Sequence, residues 1–331
     1  MNPQDTEIPA PIIVPESPLA KFSTLVTSSW NFFVSHWKIL VPIIVLPTVL
    51  FEIAARLQLV ESPAFIISGI IVFIIGIIAS IASFPAGLNA VDTLAKDSSA
   101  PVTFQGQYKI GFTYFCSYFF VSALLTLSVM GGVMLLVLPG ILISILAFFA
   151  TYIVVIENKK GISALTESYS IVKGRGLELF YRLLGFGLIM ALVSILLNFL
   201  ISLIGSLPDN SLSMIIGALL SIIGNGLMQV LTVIYTYHLY ITFRATRLQN
   251  IPTDTFNKVL KITIGLAIIG IIAIITFGSI FMRQNNISFA SLIEAYRNSS
   301  YETQNENDIN IDELRKMINE RTGSSSVPVQ Q

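Results

Sequence analysis

The sequence predicts an all-α fold: a polytopic transmembrane helical bundle of six to seven spans, with amphipathic helices at the interface. Three observations predict it. Of 331 residues, 54% are hydrophobic and only 11% are charged, against roughly a quarter charged in soluble domains. The mean hydropathy is +0.78. The apolar residues gather into stretches long enough to cross a bilayer, which takes about 20 residues of helix. Together these exclude a soluble globular protein, a disordered chain and a fibrous repeat.

Residues 1–20 read as a disordered lead, with no Lys or Arg and prolines at 3, 9, 11, 15 and 18. A secretory signal would carry a basic start. The first span is expected over Ile39–Ala55, with Pro42 and Pro47 inside it. The second covers Ala64–Phe84 and the third Phe112–Val137. Pro139-Gly140 then marks a turn, because proline suits the start of a helix, where its missing N–H would be unpaired anyway. A rival reading breaks the chain at Gly131-Gly132 and leaves Pro139 as a kink. The fourth span is expected over Ile141–Ile156, the fifth over Leu183–Ile204, the sixth over Ser213–Phe243 and the seventh over Val259–Phe281. The lone cysteine, Cys116, reads as a small packing residue.

Three spans follow an amphipathic stretch: Phe22–Trp37, Val102–Phe115 and Ile162–Leu179. The first holds both tryptophans, which favour the headgroup boundary. The expected pattern is a surface helix, a span, a short turn and a span, three times over. Loop charges give the orientation. With the N-terminus inside, thirteen Lys and Arg fall on inside segments and Arg56 alone on the outside loops. The prediction is a cytoplasmic N-terminus and an external C-terminus, with six spans if the seventh stretch does not cross.

Polar residues at depth often mark function. Asn225 and Gln229 share a helix face, and the sequence suggests that they meet Asn198 in a cluster between spans five and six. Glu52 is expected to pair with Arg56, four positions on.

One segment has family character. It reads Leu138-Pro139-Gly140-Ile141, an aromatic span ending at Glu157, then Ala164-Leu165, Ser168 and Lys173-Gly174-Arg175. This resembles the glycerophosphoryl diester phosphodiesterase membrane-domain family and the YciC-like uncharacterised bacterial inner-membrane proteins. The resemblance implies a bundle of about six helices in a plasma (inner) membrane. It does not import the phosphodiesterase, which in that family is a separate soluble domain.

The residues themselves predict that Glu157 pairs with Lys173, Arg175 or Arg182 and fixes the surface helix to the bundle. Lys159, Lys160, Lys173, Arg175 and Arg182 form a basic cluster able to contact anionic lipid headgroups. No catalytic motif, phosphate loop or metal spacing is present, and balanced charge gives no attraction for nucleic acid. Three regions follow: 1–20, the transmembrane domain 21–281, and a polar tail 282–331. The tail holds possible short helices over Ile287–Tyr296 and Ile309–Arg321. The expected function is a non-enzymatic membrane scaffold or accessory domain touching membrane lipids, without cofactor. The alternative is a transporter of a small or lipid-like substrate.

Overall fold

The computed structural model describes residues 20–58, 62–135, 137–205, 211–247 and 253–284; the lead and the tail helices expected from the sequence lie outside them. The described residues form helices and turns with no strand. In chain order the helices are α1 (Phe22–Gln58), α2 (Pro63–Lys96), α3 (Phe104–Leu135), α4 (Val137–Leu146), α5 (Ala150–Ile156), α6 (Ile162–Val172), α7 (Gly176–Gly205), α8 (Ser211–Ala245) and α9 (Asp254–Gln284). Seven segments are long and apolar enough to cross a membrane: α1, α2, α3, α4 with α5, α7, α8 and α9. The chain is a multi-pass membrane protein. It divides into two compact units, Met1–Ile268 and Ile269–Gln331.

Consecutive helices pack as neighbours in the first unit: α1 with α2, α2 with α3, and α3 with α4. Helix α8 closes the bundle against α1 and α7. Leu40, Ile43, Leu88, Phe149, Ile153, Leu165, Tyr235, Tyr240 and Phe243 are fully buried. Most large side chains of α7 stay exposed, as expected of a helix whose apolar surface a bilayer covers.

Two of the three expected surface helices are not separate elements. The stretch 22–37 runs without interruption into the first span as α1, and 104–115 continues into the third as α3. Neither holds a residue that forces a break at the join. Only α6 stands alone, because Gly174, at φ 83°, turns the chain before α7. The threefold pattern is thus reduced to one instance.

The two prolines of α1 do not end it. Pro47 lacks the N–H that would bond the carbonyl of Ile43. That carbonyl is satisfied from outside: Ser83 Oγ on α2 and Tyr108 OH on α3 each donate to it at 3.0 Å. In a membrane interior an unpaired carbonyl would cost several kcal/mol, so the proline-bearing helix is held by its neighbours.

Helix α4 begins at Val137, so Pro139-Gly140 lies in its first turn rather than before it. Helix α3 passes straight through Gly131-Gly132, and the rival break there does not occur. Those glycines serve close approach instead. A Cβ on Gly132 would stand 2.8 Å from Gly140 Cα, so only bare backbone lets α3 and α4 fold against each other so tightly. Cys116 is exposed on α3 rather than packed.

Candidate functional site: a charged junction and a polar cleft

The fourth span is broken between α4 and α5. Ala147, Phe148 and Phe149 leave the regular ladder. Ser168 of α6 mends the gap: its hydroxyl donates to Leu146 O and accepts from Phe149 N–H, both at 3.0 Å. Ala164, Leu165 and Ser168 are fully buried, so the apolar face of α6 lies flat on this break. The serine of the sequence pattern thereby has a physical role.

Helix α5 ends at Glu157, and Asn158 follows with φ 54°, a left-handed cap that asparagine tolerates. Gly161, with φ 57°, opens α6. This tight turn aims two acids at one place. Glu157 Oε1 accepts from Tyr240 OH at 2.6 Å and meets Arg244 Nε at 3.1 Å. Its other oxygen lies 3.4 Å from Lys159 Nζ. Lys159 also pairs with Glu167 of α6 at 2.7 Å, and Glu167 pairs with Arg247. Two carboxylates, each 11% exposed, are thus shared among three cations drawn from the α5–α6 turn, from the end of α8 and from Arg247 just beyond it.

Several sequence expectations are corrected here. Glu157 does not pair with Lys173, Arg175 or Arg182. Lys173 lies over the Tyr169 ring at 5.2 Å. The backbone N–H of Arg175 bonds Val172 O in the turn at Gly174. Arg182 binds Glu178 at 2.8 Å and donates to Ala20 O, which ties α7 to the start of α1. Lys159 and Arg182 are therefore committed to internal pairs, while Lys160 stays exposed. Leu138 is exposed, and Pro139 and Gly140 belong to the α4 start.

The expected Asn198–Asn225–Gln229 cluster does not form. Asn198 donates to Ser194 O and Asn225 to Ser221 Oγ, each one turn back on its own helix. Gln229 accepts from Thr48 of α1 at 3.1 Å, so it joins α8 to α1 and not to α7. Short polar side chains in helices find local partners first. Glu52 does pair with Arg56, at 2.8 Å.

Next to the junction, α1, α2 and α8 enclose a cleft of about 590 Å³. Its wall includes Thr24 and Ser28, Asp92 and Lys96, and Tyr237, His238, Thr242 and Arg244. Asp92 accepts from Tyr237 OH at 3.0 Å and pairs with Lys96 at 2.6 Å. Ser29 Oγ donates to Leu25 O at 2.7 Å, and it lies 3.0 Å from His238 Nδ1. Having spent its only proton, the serine must accept at that second contact, so Nδ1 carries the hydrogen. In the neutral ring Nε2 then keeps its lone pair.

Reading the sequence missed Asp92, Glu167 and the roles of Arg244 and Arg247. The available signal was the run Tyr235-Thr236-Tyr237-His238, unusually polar for a span interior. Among the described residues no three His, Cys, Asp or Glu side chains gather as a metal site would require.

A family model described as a domain of unknown function (DUF7847) matches residues 64–243, from the second span to just before Arg244. No curated protein and no solved structure matches the chain.

Proposed function

The chain belongs to the DUF7847 family, a domain of unknown function, and from that premise we propose that it is a non-enzymatic membrane scaffold whose basic end contacts anionic lipid headgroups. One observation carries the reading. The described helix ends that meet at the junction and the cleft, with the segments joining them, hold thirteen Lys and Arg against six Asp and Glu. Arg182, Arg244, Arg247 and Lys159 are paired with the acids. Lys38, Lys109, Lys160, Lys258 and Lys261 remain exposed. Each basic residue near an anionic surface contributes about 1 kcal/mol of attraction. Exposed Trp30 and Trp37 on α1 suit the headgroup boundary.

In this reading the basic end faces the cytoplasm, the membrane is the plasma (inner) membrane, and the resemblance around Glu157–Arg175 supports an accessory role. Transport would call for polar side chains converging on a path through the bilayer. Glu52, Asn198 and Gln229 each bond elsewhere, and that favours the scaffold.

The test is thermal unfolding in nanodiscs of phosphatidylcholine with and without phosphatidylglycerol. The anionic lipid should raise the midpoint. A variant carrying Lys109→Gln, Lys160→Gln, Lys258→Gln and Lys261→Gln should lose most of that rise. An unchanged rise in the variant would remove the lipid-contact reading. A reporter fused after Gln331 should report the external side.

A further inference from the structure

The polar cleft does more than separate three helix ends. Its volume of about 590 Å³ falls in the range of small-molecule sites, which run about 300–1,000 Å³. Its groups come from three different helices and differ in what they have left to offer.

Asp92 is already used on both oxygens, by Tyr237 and by Lys96. Lys96 is held only by that exposed i,i+4 pair, its side chain 69% exposed. Such pairs are weak and readily exchanged. Arg244 meets Glu157 through Nε, and the same side chain lines the cleft. Two cations from two helices therefore border one space. The acceptor in the wall is His238, whose Nδ1 is committed to Ser29 and whose Nε2 lone pair is unspent. Ser28 and Thr242 add hydroxyls. Helix α1 supplies Ser28 to the wall and, half a turn on, the exposed Trp30. Tryptophans mark headgroup depth.

We infer that this cleft is a binding site for one phosphodiester headgroup that carries its own hydrogen-bond donor, an amine or a hydroxyl. Lys96 and Arg244 attract the phosphate, and His238 Nε2 accepts from the donor. The assignment of depth rests on the membrane-scaffold reading, while the choice of headgroup rests on the cleft alone. Phosphatidylethanolamine and phosphatidylglycerol meet both requirements. Phosphatidylcholine has the phosphate but no N–H or O–H on its headgroup.

The experiment presents the full chain in detergent with equal amounts of these three lipids, followed by native mass spectrometry. The expected result is one retained ethanolamine or glycerol lipid per chain, about three- to tenfold over the choline lipid, which is what one hydrogen bond is worth. His238→Phe should abolish the discrimination, and Lys96→Gln should weaken retention of all three. If His238→Phe does not fold, Ser29→Ala serves instead. It removes nothing from the cleft wall but frees the imidazole proton, and it should also erode the preference.

A second arm adds soluble phosphoethanolamine to the protein in phosphatidylcholine nanodiscs. A raised unfolding midpoint there assigns the site to a soluble ligand, whereas lipid retention alone assigns it to a membrane lipid. Equal retention of all three lipids without a response to phosphoethanolamine would overturn the proposal, as would unchanged discrimination in both His238→Phe and Ser29→Ala. The four-lysine variant separates this idea from the scaffold reading. It should lose most of the phosphatidylglycerol-dependent midpoint rise, the remainder being the cleft's share, yet retain the ethanolamine lipid in the cleft as the unsubstituted chain does.

Discussion

The hydroxyl of Ser83 lies 3.0 Å from the carbonyl oxygen of Ile43, and the donor it replaces is the N–H that Pro47 does not have. Tyr108 approaches the same oxygen from α3. Three helices thus meet at one backbone atom that a proline has set free. The proline and the partners of the freed carbonyl form one unit.

That unit can be dissected by mutation. Ser83→Ala or Tyr108→Phe alone should lower stability by about 0.6 kcal/mol, the mean for a bond between membrane helices. The double variant leaves the carbonyl bare and should cost more than the sum, on the order of 1–3 kcal/mol. In a Pro47→Ala background the helix regains its own donor, and the double loss should shrink. Unfolding in detergent measures all of these. Equal losses in both backgrounds would show that the two hydroxyls do not serve the proline.

Ser168 stands at the break between α4 and α5 and bonds both sides of it. Ser168→Ala should destabilise by about 1–3 kcal/mol, because a buried N–H and a buried C=O both lose a partner. Hydrogen exchange should rise first at Phe149 and then through α6. A variant with unaltered protection at Phe149 would show that the hydroxyl does not close the gap.

Glu157 and Arg244 meet at 3.1 Å, with Tyr240 on the same carboxylate oxygen. Arg244 is about half exposed, so its attraction is partly screened by water. Glu157→Gln should still cost about 1–3 kcal/mol, because Arg244 and Lys159 both lose the charge they answer. A double-mutant cycle with Arg244→Gln should show a positive coupling energy. Zero coupling would mean that Glu157 serves Tyr240 alone.

The glycines of the spans should separate into two groups. Gly132→Ala pushes a methyl into the backbone of Gly140 and should be strongly destabilising. Gly187 has nothing within reach of an added Cβ. Gly187→Ala should therefore be neutral or stabilising by up to about 1 kcal/mol, the gain in helix propensity. The order of the two melting temperatures checks it.

The spans were legible because hydropathy depends on the chain's own composition: each of the seven expected stretches has its counterpart among the seven segments long and apolar enough to cross, although the third runs past the end of α3 and the fourth is broken between α4 and α5. The junction was not legible. Glu157 was matched to nearby cations in sequence, whereas Tyr240 lies 83 positions away. The expected amide cluster failed for the opposite reason, since Asn198 and Asn225 satisfy themselves within one turn. Surface helices at 22–37 and 104–115 could not be told from the starts of long spans, because amphipathic periodicity does not say where a helix stops. At α6 the positive-φ glycines at 161 and 174 bound the helix, which stops at Val172 where the expected stretch ran on to Leu179.

The lock at Glu157 also imposes an order of events during synthesis. The acid emerges with α5, but Tyr240 and Arg244 follow only after the whole of α7 and most of α8. Until then the end of α5 has Lys159 within reach and no arginine from α8. A ribosome that stalls before α8 leaves a fragment whose two carboxylates, at its rim, share Lys159 and lack the arginines that complete the junction. The completed chain alone closes that rim, so the junction distinguishes a finished membrane insertion from an aborted one.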